Sequence, residues 1–163
     1  MENEASLILQ QAGILALWLD CHGSPVQCQQ PLAPTDLVLR IVIEPEGGRR
    51  SVGGLGFAFA TKEGGTLATL FYSRIQRLAE ERIASTSQIL GHAAAHEIGH
   101  LLLSTMTHSP KGIMRANWER EDLGRIAKGT LCFTPEQSQL MGADVLTRTQ
   151  ACSDPSTANE STK

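Results

Sequence analysis

The residues of this chain best suited to chemistry are histidines, four of which lie between positions 92 and 108. Within that stretch, His96-Glu97-Ile-Gly-His100 has the pattern HExxH. Two histidines four residues apart on a helix share one face, one turn apart, so both imidazoles can reach one ion. The adjacent glutamate can then act as general base on a water that the ion activates. The spacing predicts a Zn²⁺ site with His96 and His100 as ligands and Glu97 as the catalytic base.

A catalytic zinc ion needs a third protein ligand and an open position. We predict that His108 is this ligand, because the helix can end after His100 and the chain can turn back toward the ion. His92 is excluded, since it lies eight residues before His100, roughly 12 Å along a helix axis. A carboxylate from the charged segment that follows is the alternative third ligand, with Glu119 and Glu121 as the candidates.

The elements that must position these residues follow from the hydrophobic pattern. Period-two and β-branched segments predict strands at 14–20, 37–43, 55–60 and 66–72. Helical periodicity and capping signals predict helices at 5–12, 73–83, 86–102, 120–127 and 135–147. This order predicts a single α+β domain over 1–150, with a small mixed sheet of about four strands, an N-terminal helix, a long HExxH helix and C-terminal helices. Residues 151–163 are rich in Ser, Thr and Asn, which predicts a disordered tail.

The composition limits the classes of partner. With 163 residues, 41% apolar and 19% charged, the chain is typical of a soluble globular protein. A net charge of −3 and only 4% aromatic residues argue against nucleic-acid binding, and no apolar run approaches a membrane span. The acidic N-terminus is unlike a secretory signal, so we expect a cytoplasmic monomer, or an exported protein if the chain is a processed form. Cys21 and Cys28 are close enough for a local disulfide, which the sequence leaves open.

The HExxH helix, a downstream histidine and a turn containing Met114 together resemble the metzincin clan of zinc metallopeptidases. The metzincin pattern is HExxHxxGxxH. Here Leu103 stands at the glycine position and Met106 at the position of the third histidine, and His108 follows two residues later. The resemblance implies a zinc-dependent peptidase in which an edge strand before the active-site helix pairs with an extended substrate, and 66–72 occupies that place.

A closer likeness is to an uncharacterised bacterial family of small HExxH metallopeptidases, frequent in acidobacteria. The matching segments are 19–21, 34–40, 68–72, 90–103, 108–115, 118 and 133–137. This resemblance implies metal binding and a peptidase-like architecture, without specifying a substrate. Tyr72, the only tyrosine, either stabilises the oxyanion or packs on the sheet.

The expected function is therefore hydrolysis of peptide bonds in a peptide or protein substrate, by an endopeptidase rather than an exopeptidase. Glu97 takes a proton from the metal-activated water and passes it to the leaving amine. The alternative is a non-catalytic zinc-binding or partner-binding protein on the same kind of scaffold.

Overall fold

A computed structural model describes residues 1–23, 26–43, 54–61 and 64–153 of the chain. Its helices are α1 (Glu2–Gln11), α2 (Tyr72–Ala79), α3 (Thr86–Leu102), α4 (Arg120–Ala127) and α5 (Pro135–Ser153). Its strands are β1 (Val38–Val42), β2 (Gly56–Thr61) and β3 (Gly64–Phe71). The predicted α+β order, with one N-terminal helix and the other helices after the sheet, is confirmed.

The described residues form one three-stranded mixed sheet in the order β1-β3-β2. β1 runs parallel to β3, and β2 runs antiparallel to it. Ala68 of β3 pairs with Leu39 on one side and Ala58 on the other, and it is fully buried. The strand predicted at 66–72 is therefore the central strand, and its expected place at the edge of the sheet is wrong. The edge beside the HExxH helix belongs to β2.

The strand predicted at 14–20 is also wrong, because this segment pairs with no described strand. The side chains of this segment nevertheless alternate between buried and exposed, since Ile14 is 8% exposed and Leu15 is 82% exposed. Trp18 is half-buried and donates its indole N–H to Ser6 Oγ of α1 at 2.7 Å. The segment packs against α1 and the core instead of joining the sheet, so the alternation indicates a buried face but not a strand partner.

Helix α3 is the centre of the fold, and every residue from Ile89 to Leu102 is buried. Its start is stabilised by a capping box in which Ser85 and Gln88 satisfy each other's backbone N–H groups. A helix that is apolar on all sides must be covered on all sides. Here α1, α2, α4, α5 and the sheet all contact it. This packing holds the HExxH residues rigidly inside the protein.

Helix α5 begins at the predicted proline but continues to Ser153. Three residues of the predicted disordered tail are therefore helical, and the rest of that tail lies outside the described residues. Arg148 ties this helix to the core, because its guanidinium donates to the carbonyl oxygens of Pro34, Gly65 and Leu101.

The disulfide left open by the sequence is present, joining Cys21 and Cys28 with their Cα atoms 5.6 Å apart. Cys132 and Cys152 are free thiols. Among the helices that the structure describes, none combines the length and apolar character needed to cross a bilayer.

Candidate metal centre

Three imidazoles converge at the C-terminal half of α3. The Nε2 atoms of His96 and His100 are 3.1 Å apart, and the Nε2 atoms of His100 and His108 are 3.3 Å apart. One nitrogen from each ring lies within 4.8 Å of the other two. Two nitrogens at about 2.0–2.1 Å from a tetrahedral zinc ion are about 3.3 Å apart. The three predicted ligands are therefore brought together, and the His96–His100 and His100–His108 pairs have the spacing of donors to a single ion.

The other nitrogens of the first two rings determine their protonation. His96 Nδ1 lies 2.7 Å from the carbonyl oxygen of Ile113, and His100 Nδ1 lies 2.8 Å from that of Thr105. Because a carbonyl oxygen can only accept, each Nδ1 carries a proton and donates it. In a neutral ring with a protonated Nδ1, Nε2 carries no hydrogen and can only accept. The Nε2 atoms of His96 and His100 therefore cannot form a hydrogen bond with each other. A cation between the two nitrogens would accept both lone pairs.

Burial keeps these rings neutral. Loss of hydration lowers the pKa of His96 to about 4, against the effect of its bond to the Ile113 carbonyl, and the neighbouring imidazoles lower it further. The same loss of hydration lowers the pKa of His100. Neutral imidazole is the form that binds a metal, so His96 and His100 are ready to bind an ion at neutral pH.

The end of α3 explains why the third histidine comes late. Leu103, at the metzincin glycine position, is still right-handed, and Ser104 takes the left-handed turn with φ +48°. The Thr105 N–H then bonds back to the His100 carbonyl at 3.3 Å. This turn aims the Thr105 carbonyl at the His100 ring, and the following residues bring His108 to the cluster. The left-handed Ser104 lies one position after that of the glycine in the metzincin pattern, and His108 lies two positions after that of the third histidine.

Met114 lies behind the ligand pair. It is 1% exposed, and a Cβ added to Gly99, between the two ligands, would lie 2.7 Å from its Sδ. The same Cβ would lie 2.7 Å from Cε1 of Phe133. Glycine at this position therefore lets the turn containing Met114 pack directly on the helix backbone beneath the histidines.

Glu97 faces the cleft beside the histidines, and no cation among the described residues neutralises it. The residue is 5% exposed, and its Oε2 is buried without a hydrogen-bond partner in the described part of the chain. Loss of hydration raises the pKa of Glu97 to about 8. A Cβ on Gly56 of β2 would lie 2.9 Å from Glu97 Oε1, so the strand backbone passes directly over the carboxyl group. A buried carboxyl with a free oxygen next to three metal donors is the arrangement expected of a general base.

A cleft of about 350 Å³ gives access to these residues. Its floor is α3, one wall is the 54–58 segment, which contains the start of β2, and the other wall is the 115–118 segment. Because β2 is an edge strand of the described sheet and its first residues line the cleft, it has the edge position that the resemblance assigned to 66–72. The cleft is lined on one side by Leu55, Phe57 and Leu78 and near the histidines by Met106 and Trp118.

The remaining candidates lie outside the cluster. Tyr72 starts α2, is half-buried against the hydrophobic core and is not among the residues that line the cleft, which favours packing over oxyanion stabilisation. Glu119 pairs with Arg115 at 3.4 Å, and Glu121 pairs with Arg125 at 2.9 Å. Within the described ranges, neither glutamate belongs to the group of metal donors.

Sequence reasoning missed the groups that orient the ligands. The acceptors are backbone carbonyls, which leave no trace in residue types. The sequence indicates Trp118 only through the resemblance, although its indole shares the Ile113 carbonyl with His96. Among known proteins, no family model, curated sequence or solved structure matches this chain. The function is therefore argued from the geometry of the site.

Proposed function

We propose that this protein is a zinc-dependent metallopeptidase of the metzincin type, in which His96, His100 and His108 hold the ion and Glu97 is the general base. One observation supports this most strongly. Two unprotonated Nε2 atoms lie 3.1 Å apart, each ring being held through its Nδ1–H, beside a buried carboxyl with an unpaired oxygen.

The donor set fits zinc. Three neutral imidazoles that leave one position open are the ligands of several catalytic zinc sites, whereas calcium and magnesium prefer oxygen ligands. When bound, Zn²⁺ would polarise the substrate carbonyl and make water acidic enough to lose a proton at neutral pH. The three histidines would hold the ion, and the Ile113 and Thr105 carbonyls would keep two of the rings aimed at it.

Glu97 would move the proton. A nearby positive charge favours the ionised form of a carboxyl, so an ion on the histidines would lower the pKa of Glu97 from about 8 and free Oε2 to accept. Oε2 would take a proton from the attacking water and later donate it to the leaving amine nitrogen. Because the Glu97 carboxyl is buried, bulk water does not hydrate it and its proton stays within the site.

Strand β2 would hold the substrate. An edge strand has unpaired N–H and C=O groups that an extended peptide can pair with. The cleft wall runs from Gly54 to Ala58, on both sides of Gly56, where an added Cβ would lie 2.9 Å from Glu97 Oε1. A peptide lying along this wall would extend in both directions from the scissile bond, which favours an endopeptidase.

The test compares zinc-loaded wild type with Glu97→Gln on a peptide library. Glu97→Gln keeps the shape of the side chain but removes its basicity, so we expect full zinc content and cleavage reduced by roughly 10²–10⁴-fold. Glu81→Gln, an exposed glutamate in the turn after α2 and not among the residues that line the cleft, is the matched control and should cleave like wild type. Zinc binding without cleavage of any peptide by the wild type would instead favour a non-catalytic zinc protein. Undiminished cleavage by Glu97→Gln would refute its role as base.

A further inference from the structure

One backbone oxygen connects the metal cluster to a tryptophan in the cleft wall. The Ile113 carbonyl accepts the Nδ1–H of His96 at 2.7 Å and the indole Nε1–H of Trp118 at 3.1 Å. A carbonyl oxygen has two lone pairs and can accept both. The indole therefore holds the same group that orients His96.

The indole ring also contacts the imidazole of His96 directly. Their ring centroids are 5.9 Å apart with planes at 84°, an edge-to-face arrangement. The Trp118 ring also contacts the imidazole of His92, with the centroids 6.4 Å apart and the planes at 90°. His92 is fully buried, and its own Nδ1 bonds to the Gln88 carbonyl one turn back along α3. The indole thus packs against two imidazoles on consecutive turns of one rigid helix.

The support of the two buried ligands differs. The acceptor of His100 is the Thr105 carbonyl, which the end of α3 itself holds in place through the bond from Thr105 N–H to the His100 carbonyl. Ile113 belongs to a separate loop. The Ile113 N–H donates to the Cys132 carbonyl at 3.0 Å and so holds this loop in place. Of the described residues, only Trp118 adds a second donor to the Ile113 oxygen. His96 depends on this loop for its orientation, whereas His100 does not.

We infer that Trp118 is a positioning residue for His96. It fixes the Ile113 carbonyl and the plane of the His96 imidazole, so that Nε2 points at the other two donors. This inference rests on the proposed metal site and deepens it. Groups that orient metal ligands typically change metal affinity by about 10–100-fold when removed. A substitution that keeps an aromatic ring at position 118 loses only the bond to the carbonyl, so we expect the lower end of that range.

The experiment measures zinc affinity by competition with a chelator, without substrate. Trp118→Phe removes the indole donor, and we expect a zinc dissociation constant about tenfold higher than that of the wild type. Trp18→Phe is the matched control, because Trp18 also donates its indole N–H, to Ser6 Oγ at 2.7 Å, far from the cluster along the chain. It should bind zinc like the wild type. With Co²⁺ in place of zinc, the visible absorption bands should shift in Trp118→Phe only, because only there does a ligand change orientation.

A second measurement uses the wild type itself, in case Trp118→Phe does not fold. The exchange of the Trp118 indole N–H with deuterium, followed by NMR, should slow when zinc is added, while that of Trp18 should not change. Equal zinc affinity of wild type and Trp118→Phe, or indole exchange of Trp118 that zinc leaves unchanged, would overturn the inference and leave the proposed function standing. A wild type that binds no zinc would overturn both.

Discussion

The metal-free protein should lose stability between pH 6.5 and pH 8, because folded Glu97 keeps a proton that the unfolded chain has released. Burial raises the pKa of Glu97 from 4.5 to about 8. Where the folded state binds more protons than the unfolded state, the free energy of unfolding falls as the pH rises. One proton corresponds to about 1.4 kcal/mol per pH unit, so the free energy of unfolding should fall by about 2 kcal/mol over this interval.

The histidines act in the opposite direction at lower pH. Burial lowers the pKa of His96 from 6.5 to about 4, so the folded chain binds fewer protons than the unfolded chain between these values. This contribution makes stability rise with pH up to 6.5. The lowered pKa values of His92 and His100, also caused by burial, add to the rise. The metal-free protein should therefore be most stable near pH 6.5.

Urea unfolding in the presence of a chelator, at several pH values from 6.5 to 8, measures this loss. Glu97→Gln should have a nearly flat profile over the interval, because its amide does not titrate. Glu119→Gln, which changes an exposed glutamate, should fall with pH like the wild type. A flat profile for the wild type, or the same decline in Glu97→Gln, would refute the account of a buried, protonated Glu97.

Three further substitutions test the supports of the site. In Gly56→Ala the new Cβ would lie 2.5 Å from the Thr69 carbonyl oxygen and 2.9 Å from Glu97 Oε1. We therefore expect the free energy of unfolding, measured with urea, to fall by about 1–3 kcal/mol. Unchanged stability would contradict this packing. Ser104→Gly removes the cost of a left-handed residue at φ +48° and should raise the free energy of unfolding by about 1 kcal/mol, whereas a lower melting temperature would contradict the turn. Arg148→Met leaves three carbonyl oxygens without their donor and should lower the free energy of unfolding by roughly 2 kcal/mol or more; a thermal melt like that of the wild type would show that these bonds contribute little.

The ligand pair could be predicted because it depends on a local rule. The helix period alone places His96 and His100 on one face, and the same argument separates His92 from them. His108 required only that the chain turn back after the helix, which the polar segment after Leu103 permits. The structure confirms that the side chains of these three histidines come together, with their donor nitrogens within 4.8 Å of one another.

Sheet order could not be predicted in the same way. Alternation of apolar residues indicates which face of a segment is buried, but not which strand lies beside it. For this reason the pattern at 14–20 predicts a strand although the segment packs on α1. The edge position of 66–72 is implied only by the resemblance, and β3 lies in the middle of the sheet. The carbonyls of Ile113 and Thr105 were missed for a related reason, since a backbone acceptor depends on where the loop folds and not on which residue supplies it.

The central claim, one ion held by His96, His100 and His108, is tested most directly by X-ray absorption at the zinc edge on protein loaded with one equivalent of zinc. The account predicts three imidazole nitrogens at about 2.0–2.1 Å, no sulfur scatterer, and the loss of one imidazole in His108→Ala. A sulfur ligand at about 2.3 Å, fewer than three imidazoles in the wild type, or an unchanged spectrum in His108→Ala would contradict it.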